Sequence, residues 1–291
     1  MSRPMTAPPV PYFGGKQRIA QRIADLLPDH DHYVEPYCGG LSVLAVKRPS
    51  TLETVNDLDG DVMLFWRVLR DRPVDLARVC ALTPHSRAEH ALSRDRDGLD
   101  DLERARRVWV ALSQGRGGQL MRTGWRHYID PAGASMGMPG YLAGYVDRMA
   151  AMSERLHRVS LECRPALDVI TAYGANARTL LYVDPPYLGS TRPGSASSYR
   201  REMKGAADHI ALAGALREAK ASVVLSGYPS PLYDDLYADW HRTDLATRTG
   251  QGNTGPRDGA RTEVLWSTAP LDTHPTLDFA SLTSSAGGSR L

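Results

Sequence analysis

The sequence predicts an α/β protein with a doubly wound, mostly parallel sheet and a mainly helical domain inserted into it. Short apolar runs alternate with helix-like segments over residues 10–69, and the alternation resumes over residues 165–267. Strands that alternate with helices pair in parallel, because each helix carries the chain back across a face of the sheet. Between the two parts, residues 70–164 are rich in charge and contain no convincing strand, which predicts a helical insertion.

The individual elements follow from apolar periodicity and from runs of bulky or β-branched residues. In residues 10–69 these patterns predict a helix over residues 17–27, a strand over 32–34, a helix beginning at 42, a strand over 52–55 and a helix over 61–69. The insertion predicts a helix over residues 141–159, and the second part predicts strands over 179–183, 222–225 and 262–266 with a helix over 207–219.

Composition excludes several classes of protein. The chain has 291 residues, 42% hydrophobic and 23% charged, with a net charge of +2, so it is neither a polycation nor too polar to bury a core. No apolar run is long enough to span a membrane and no signal peptide is evident, so we expect a cytoplasmic protein without a membrane partner. Cys38, Cys80 and Cys163 lack zinc-binding spacing, so no metal is expected. Residues 1–9 and 268–291 are expected to be disordered.

The most informative motif is Asp184-Pro185-Pro186-Tyr187, directly after the predicted strand 179–183. Two prolines prevent a helix or a strand ladder and fix an extended turn. This turn offers a carboxylate, backbone carbonyls and an aromatic ring at one edge of the sheet. Such groups suit a flat base, because the acceptors bind its exocyclic amine while the ring stacks on its face. A rigid turn with a capping aspartate is the alternative for the motif taken alone.

A second motif, EPYCGG at residues 35–40, lies between a predicted strand and a helix. Glycine lets the backbone approach a ligand there and the helix start offers free N–H groups, which is typical of a nucleotide site, although a simple tight turn is the alternative. The next strand ends in an NDLD sequence, where Asp57 or Asp59 either accepts hydrogen bonds from ribose hydroxyls or caps the following helix. A third motif, YFGGK at residues 12–16, places an aromatic residue and a lysine before the first helix.

In this order, FGGK, EPYCGG, NDLD and DPPY resemble the Dam-like (D12 class, α-group) N6-adenine-specific DNA methyltransferases over residues 11–266. The resemblance implies a Rossmann-like class I methyltransferase fold. It assigns residues 10–69 and 165–267 to the catalytic domain that binds S-adenosylmethionine, and residues 70–164 to the target-recognition domain that binds double-stranded DNA. A cognate restriction enzyme is a further candidate partner.

Residue roles are carried over from the family motifs. The implied cofactor contacts are Tyr12, Lys16, Glu35, Pro36, Tyr37, Gly39, Asp57 and Asp184. The implied catalytic residues are Asp184, Pro185 and Tyr187. Leu41 stands where the family has a second glycine, so it is expected to narrow the cofactor pocket or to shift the start of the helix.

The implied reaction is methyl transfer from S-adenosylmethionine to N6 of a flipped adenine in a specific short DNA sequence, with S-adenosylhomocysteine as the product. We hypothesise that Asp184 and the Pro185 carbonyl accept the two amine hydrogens while Tyr187 stacks on the base. The candidate DNA contacts in the insertion are Arg116, Arg122, Trp125 and Arg126, with a solvated arginine-rich loop as the alternative. Residues 190–201 are a candidate lid.

Three other functions stay open. One is methylation of another amine, at N4 of cytosine or on adenine in RNA, although an acid rather than a serine at position 184 favours adenine. Another is a catalytically silent DNA-binding relative, against which the intact DPPY motif argues. The last, a dinucleotide-dependent oxidoreductase, is disfavoured because the G-x-G-x-x-G pattern is missing.

Overall fold

The computed structural model describes residues 6–127, 137–187, 203, 205–248 and 260–271, and these form an α/β fold. The strands are β1 (His32–Glu35), β2 (Leu52–Asn56), β3 (Val159–Glu162), β4 (Thr179–Val183), β5 (Ser222–Gly227), β6 (His241–Arg248) and β7 (Ala260–Ser267). The helices are α1 (Ala20–Leu26), α2 (Ser42–Val46), α3 (Gly60–Asp71), α4 (Pro73–Ala81), α5 (Arg87–Leu92), α6 (Asp101–Gln114), α7 (Met138–Val146), α8 (Met149–Leu156), α9 (Ala166–Gly174), α10 (Ala206–Glu218) and α11 (Pro231–Leu236).

The strands form one seven-stranded sheet in the order β3-β2-β1-β4-β5-β7-β6. The first five strands in that order run parallel, and β7 is antiparallel to both β5 and β6. The predicted doubly wound, mostly parallel sheet is therefore confirmed. The chain moves outward from β1 in one direction and from β4 in the other, so the strand order reverses between them. In open α/β sheets a crevice forms at this point, beyond the carboxyl ends of the two strands.

The central strands owe their positions to burial on both faces. All five residues of β4 are buried, and Leu180, Leu181 and Val183 have no exposed surface. A strand covered by helices on both sides of a parallel sheet reads as a continuous apolar run, which is why the sequence predicts β4 well. The strand therefore holds its carboxyl end, and the turn that follows it, in a fixed place.

Two edge strands differ from the sequence prediction. The prediction that residues 70–164 contain no strand was wrong, because β3 lies in that range and pairs with β2. The strand β6 was also not predicted. Both strands lie at the edges of the sheet, where one side faces solvent and the apolar signal is weak. The inserted domain that we propose therefore ends before Val159.

Other boundaries also needed correction. The predicted helix over 141–159 is two helices, α7 and α8, with a break at residues 147–148. The predicted disorder of residues 1–9 was wrong for its last part, because Trp109 Nε1 donates to the Pro9 carbonyl at 3.2 Å. Residues 268–271 are ordered as well, with Thr268 N bonded to the Val223 carbonyl at 3.1 Å. Residues 1–5, 190–201 and 272–291 lie outside the described residues. Among the described helices, none combines the length and apolarity that a membrane span requires.

A buried ion cluster joins helix α8 to the sheet. Both carboxylate oxygens of Glu53 on β2 bind the Arg155 guanidinium of α8, with Nη2 at 2.7 Å from Oε1. Lys47 Nζ donates to the same carboxylate at 2.9 Å, and Arg155 Nε donates to the Leu44 carbonyl at 3.1 Å. Burial alone would raise the pKa of Glu53, but these two cations lower it. A carboxylate buried at 3% exposure depends on such partners, so the cluster fixes α8 against β2.

Candidate active site

An open cavity lies at the carboxyl ends of β1, β2 and β4, next to the reversal of strand order. It gathers segments that are far apart in sequence: the YFGGK motif, the EPYCGG motif, the end of β2 and the start of the DPPY turn. Its lining includes all eight residues assigned to the cofactor by motif: Tyr12, Lys16, Glu35, Pro36, Tyr37, Gly39, Asp57 and Asp184.

The glycines of EPYCGG make room for an aromatic side chain. A Cβ atom on Gly39 would lie 2.6 Å from Cε1 of Tyr12, and one on Gly40 would lie 2.6 Å from its Cβ. Gly39 also has φ +42°, which favours glycine. Both glycines therefore allow the Tyr12 side chain to pack directly on the turn, where it forms part of the cavity wall.

Leu41 occupies the left-handed region with φ +54°, the one non-glycine residue of the described chain with a positive φ. A glycine would adopt this conformation without strain, which explains why glycine suits the position. The Leu41 side chain is fully buried in the core and is absent from the cavity lining among the described residues. The expectation that Leu41 narrows the pocket was therefore wrong, and α2 begins at Ser42, where the sequence predicted it.

The two acids after β2 have separate roles. Asp59 caps α3, because its Oδ1 accepts from the Asp61 N–H at 3.0 Å. Asp57 instead faces the cavity, where Oδ2 accepts from the Gly39 N–H at 3.0 Å and Oδ1 from the Asp59 N–H at 2.9 Å. Burial raises the pKa of Asp57 to about 6. Each carboxylate oxygen keeps a further acceptor position, so Asp57 can receive hydroxyl donors from a ligand.

We expect Asp57→Ala to weaken binding of S-adenosylmethionine by roughly 10- to 100-fold, because hydrogen bonds to a charged acceptor contribute about 1.5–3 kcal/mol each. Isothermal titration calorimetry measures the change. Asp75→Ala is the matched control, since the Asp75 carboxylate is exposed and pairs only with Arg72 among the contacts seen. Equal affinity of the Asp57 variant and the wild type would remove Asp57 from the cofactor site.

Lys16 pairs directly with the acid of the DPPY turn. Its Nζ atom lies 2.6 Å from Oδ1 and 2.8 Å from Oδ2 of Asp184, and it also contacts the Tyr187 hydroxyl. Burial raises the pKa of Asp184 to about 6, and the charge of Glu263 acts in the same direction while Lys16 opposes it. The pKa of Lys16 is raised, because its two carboxylate neighbours outweigh its burial. The lysine assigned to the cofactor by motif thus lies beside the acid that the same motifs assign to catalysis.

Three residues around this pair belong to none of the sequence motifs. Glu263 of β7 has Oε1 at 3.5 Å from Lys16 Nζ, and Ser226 of β5 donates to that oxygen at 2.7 Å. The ring of Tyr228 packs against that of Tyr187 at a tilt of 34°, with 4.5 Å between the ring centroids. A glutamate inside the apolar run of β7 was the available signal, because a buried carboxylate needs a partner.

Glu35 and Pro185 are two further residues with roles assigned by motif. Glu35 Oε1 accepts from the Tyr33 hydroxyl at 2.6 Å and from the Leu44 N–H at 3.1 Å. Burial raises the pKa of Glu35 to about 8. Pro185 is buried, and Pro186 rather than Pro185 is part of the cavity wall. Glu35 therefore fixes β1 against α2 as well as lining the cavity.

The residues assigned to DNA binding are not among the residues that line the cavity and lie on a hairpin-like loop after α6. An antiparallel bridge joins Gly115 to Trp125, and the Arg126 N–H donates to the Gln114 carbonyl at 2.7 Å. Arg116 and Arg122 are exposed. Arg126 is half-buried, with its guanidinium carbon 5.2 Å from the centre of the Tyr141 ring.

Trp125 is engaged by neighbouring side chains. The rings of His85 and His127 stack on it at centroid distances of 4.3 and 5.1 Å, and the Arg87 guanidinium carbon lies 4.7 Å from its centre. Its Nε1 atom lies 3.5 Å from Gln114 Oε1. These contacts stabilise the loop.

The same loop contacts the N-terminal motif. The Phe13 N–H donates to the Gly118 carbonyl at 2.9 Å. Gly118 has φ +63°, and a Cβ atom there would lie 3.0 Å from the Pro11 carbonyl carbon. The loop of the inserted segment therefore packs on the chain that leads directly to Lys16.

The sheet topology, with its antiparallel β7 and its cavity at the reversal of strand order, fits a Rossmann-like methyltransferase fold. Residues 12–112 match the family model of the D12 class N6 adenine-specific DNA methyltransferases. The Type II methyltransferase M1.LlaDCHI of Lactococcus lactis subsp. cremoris is 27% identical over 270 residues, which cover 87% of this chain and 92% of the relative. Both findings support the D12-class adenine methyltransferase family that the motifs predict.

Among solved structures, a SAM-dependent methyltransferase from Agrobacterium tumefaciens matches with a TM-score of 0.36 and 10% identity. The match covers 86% of this chain and 59% of that protein.

Proposed function

We propose that this protein transfers the methyl group of S-adenosylmethionine to N6 of adenine in double-stranded DNA, within a specific short sequence, and releases S-adenosylhomocysteine. One observation carries the proposal. Asp57 and the Gly39 turn, which suit a nucleoside, line the same cavity as Asp184, which suits an exocyclic amine. The D12-class match and the Type II methyltransferase relative support the same reaction.

The residues of the cavity fit the cofactor. Asp57 offers free acceptor positions beside a glycine turn, which suits ribose hydroxyls. Tyr12 and Tyr37 provide aromatic surface in the wall, and the ion pair of Lys16 with Asp184 lines the same cavity. When bound, S-adenosylmethionine supplies an electrophilic methyl group.

Asp184 makes N6 of adenine reactive. The lone pair of N6 is delocalised into the ring, so the amine is a weak nucleophile. In the proposed mechanism the Asp184 carboxylate and the Pro185 carbonyl accept the two amine hydrogens and draw N6 toward a pyramidal geometry. Lys16 occupies one acceptor position on each Asp184 oxygen, and a carboxylate retains others for the amine. Positioning and electrostatics therefore account for most of the rate acceleration.

The adenine must leave the duplex to reach Asp184, which implies base flipping. We propose that Tyr187 supports the flipped base, with its hydroxyl held by Lys16 and its ring packed on Tyr228. The helical segment between residues 70 and 158 is the proposed target-recognition domain. Its exposed Arg116 and Arg122 suit phosphate contacts.

Trp125 and Arg126 act indirectly in the proposed DNA binding. Their contacts with neighbouring rings shape the loop that carries the two exposed arginines. A cognate restriction enzyme stays a prediction.

The test is transfer of a labelled methyl group from S-adenosylmethionine to matched DNA duplexes and RNA, followed by nuclease digestion and chromatography of the nucleosides. We expect the label in N6-methyldeoxyadenosine. Label in N4-methylcytosine or in RNA would contradict the assigned substrate. Cofactor binding without transfer to any nucleic acid would indicate a catalytically silent relative.

A further inference from the structure

We infer that Glu263 is a positioning residue for methyl transfer: it shares the Lys16 ammonium with Asp184 and so preserves the strength of Asp184 as a hydrogen-bond acceptor. This inference rests on the proposed function of the cavity. Glu263 lies on β7, far beyond the family match to residues 12–112, and belongs to none of the motifs.

Glu263 is held rigidly beside the catalytic pair. Its side chain is 3% exposed, and its Oε1 atom accepts from Ser226 Oγ at 2.7 Å and from the Tyr187 hydroxyl at 3.4 Å. The same atom lies 3.5 Å from Lys16 Nζ. Because β7 pairs with β5 and β5 pairs with β4, the sheet itself sets the position of Glu263 relative to Asp184.

The Lys16 ammonium therefore has two carboxylate neighbours, which lie at unequal distances from its Nζ atom. Its ammonium lies 2.6 Å from Asp184 and 3.5 Å from Glu263. With Asp184 as its sole partner, the full positive charge would withdraw electron density from the oxygens that must accept the N6 hydrogens. A second carboxylate offsets part of that charge, and the low dielectric of a buried site strengthens the effect.

Within the described part of the chain, few other charges act on Asp184. The ionisable groups that face it there are Lys16 of the N-terminal loop, Glu35 of β1, Tyr182 of β4, Tyr187 of the DPPY turn, Tyr233 of α11 and Glu263 of β7. Burial raises the pKa of Glu35 to about 8, so Glu35 is mostly protonated at neutral pH. Among the charges of the described residues, Lys16 and Glu263 thus dominate at Asp184.

The first test removes the charge of Glu263 and keeps its shape. Glu263→Gln retains an oxygen that accepts from Ser226, so the fold is expected to persist. In the wild type, kcat should rise with pH through about 6, because Asp184 must be ionised to accept the amine. In Glu263→Gln, Lys16 favours the ionised form of Asp184 more strongly. The rise of kcat with pH, here called the acidic limb, should therefore move to lower pH by about half a unit or more. The plateau of kcat should fall about three- to tenfold, with KM for S-adenosylmethionine changed less than about twofold.

Two further variants separate charge from structure. Glu263→Asp keeps the charge, so the acidic limb of its kcat profile should lie closer to the wild-type position than that of Glu263→Gln. Ser226→Ala removes one hydrogen bond to Glu263 but no charge, so its limb should stay within about 0.2 units of the wild type. A lower kcat in Glu263→Gln with an unmoved limb would reduce Glu263 to a structural residue and overturn the inference. An unchanged kcat and an unmoved limb would overturn it as well.

A measurement without turnover distinguishes this inference from the proposed function. The carboxyl carbon of Asp184 is followed by ¹³C NMR in aspartate-labelled protein without cofactor, and its signal is the one absent from Asp184→Asn. A lower titration midpoint in Glu263→Gln supports the coupling between the two carboxylates, and an unchanged midpoint overturns it. If the midpoint moves but the wild type methylates no DNA, the proposed function fails while the coupling stands.

Discussion

Replacing Asp184 by alanine is expected to abolish methyl transfer, with a loss of at least about a thousandfold in kcat, because the acceptor that makes N6 reactive is gone. Binding of S-adenosylmethionine should change less than about threefold, since Asp57 and the Gly39 turn remain. The variant should also fold. Lys16 keeps Glu263 as a counter-ion, with Nζ 3.5 Å from Oε1, so no buried ammonium is left unpaired.

Initial rates with labelled cofactor and duplex DNA measure the kcat of this variant, and calorimetry measures its cofactor affinity. Asp239→Ala is the matched control, because the Asp239 carboxylate is exposed and pairs with Arg217, and neither residue lines the cavity. Its rate should equal that of the wild type. Near-normal turnover by Asp184→Ala would refute the catalytic assignment of the DPPY motif.

Replacing Arg155 by methionine is expected to lower the free energy of unfolding by about 3 kcal/mol, because the Glu53 carboxylate loses its main partner while buried. Lys47 still contacts Glu53 at 2.9 Å, which keeps the loss at the lower end of the range for a broken buried pair. The aliphatic part of methionine fills much of the space of the arginine stem.

Urea unfolding followed by circular dichroism gives this free energy. Arg158→Met is the control, since Arg158 is exposed two residues past α8, and it should change the stability by less than about 0.5 kcal/mol. Equal stability of the two variants would show that the cluster between α8 and β2 contributes little to the fold.

The central sheet could be predicted from sequence because its strands are buried on both faces. β4 and β5 are apolar runs, and their parallel pairing followed from the helices between them. The edge strands β3 and β6 could not be predicted in the same way. β6 has Leu245 as its single buried residue among those whose burial is described, so its position depends on pairing with β7 rather than on its own pattern.

The cavity could be anticipated for a related reason. Parallel strands that precede polar motifs bring those motifs to one edge of the sheet, and the cavity at that edge is lined by both Asp57 and Asp184. Glu263 could not be placed, because β7 enters the sheet antiparallel between β5 and β6, and no local pattern specifies that order. The pairing of Lys16 with Asp184 likewise depends on how the N-terminal loop packs, across 168 positions of sequence.

The central claim is that one cavity holds both the cofactor and the acid that activates adenine. A crystal structure with S-adenosylhomocysteine tests it most directly. We expect the ribose hydroxyls at Asp57 and the sulfur atom directed toward Asp184 and Lys16. A ligand bound outside this cavity, or one with its sulfur turned away from Asp184, would contradict the account.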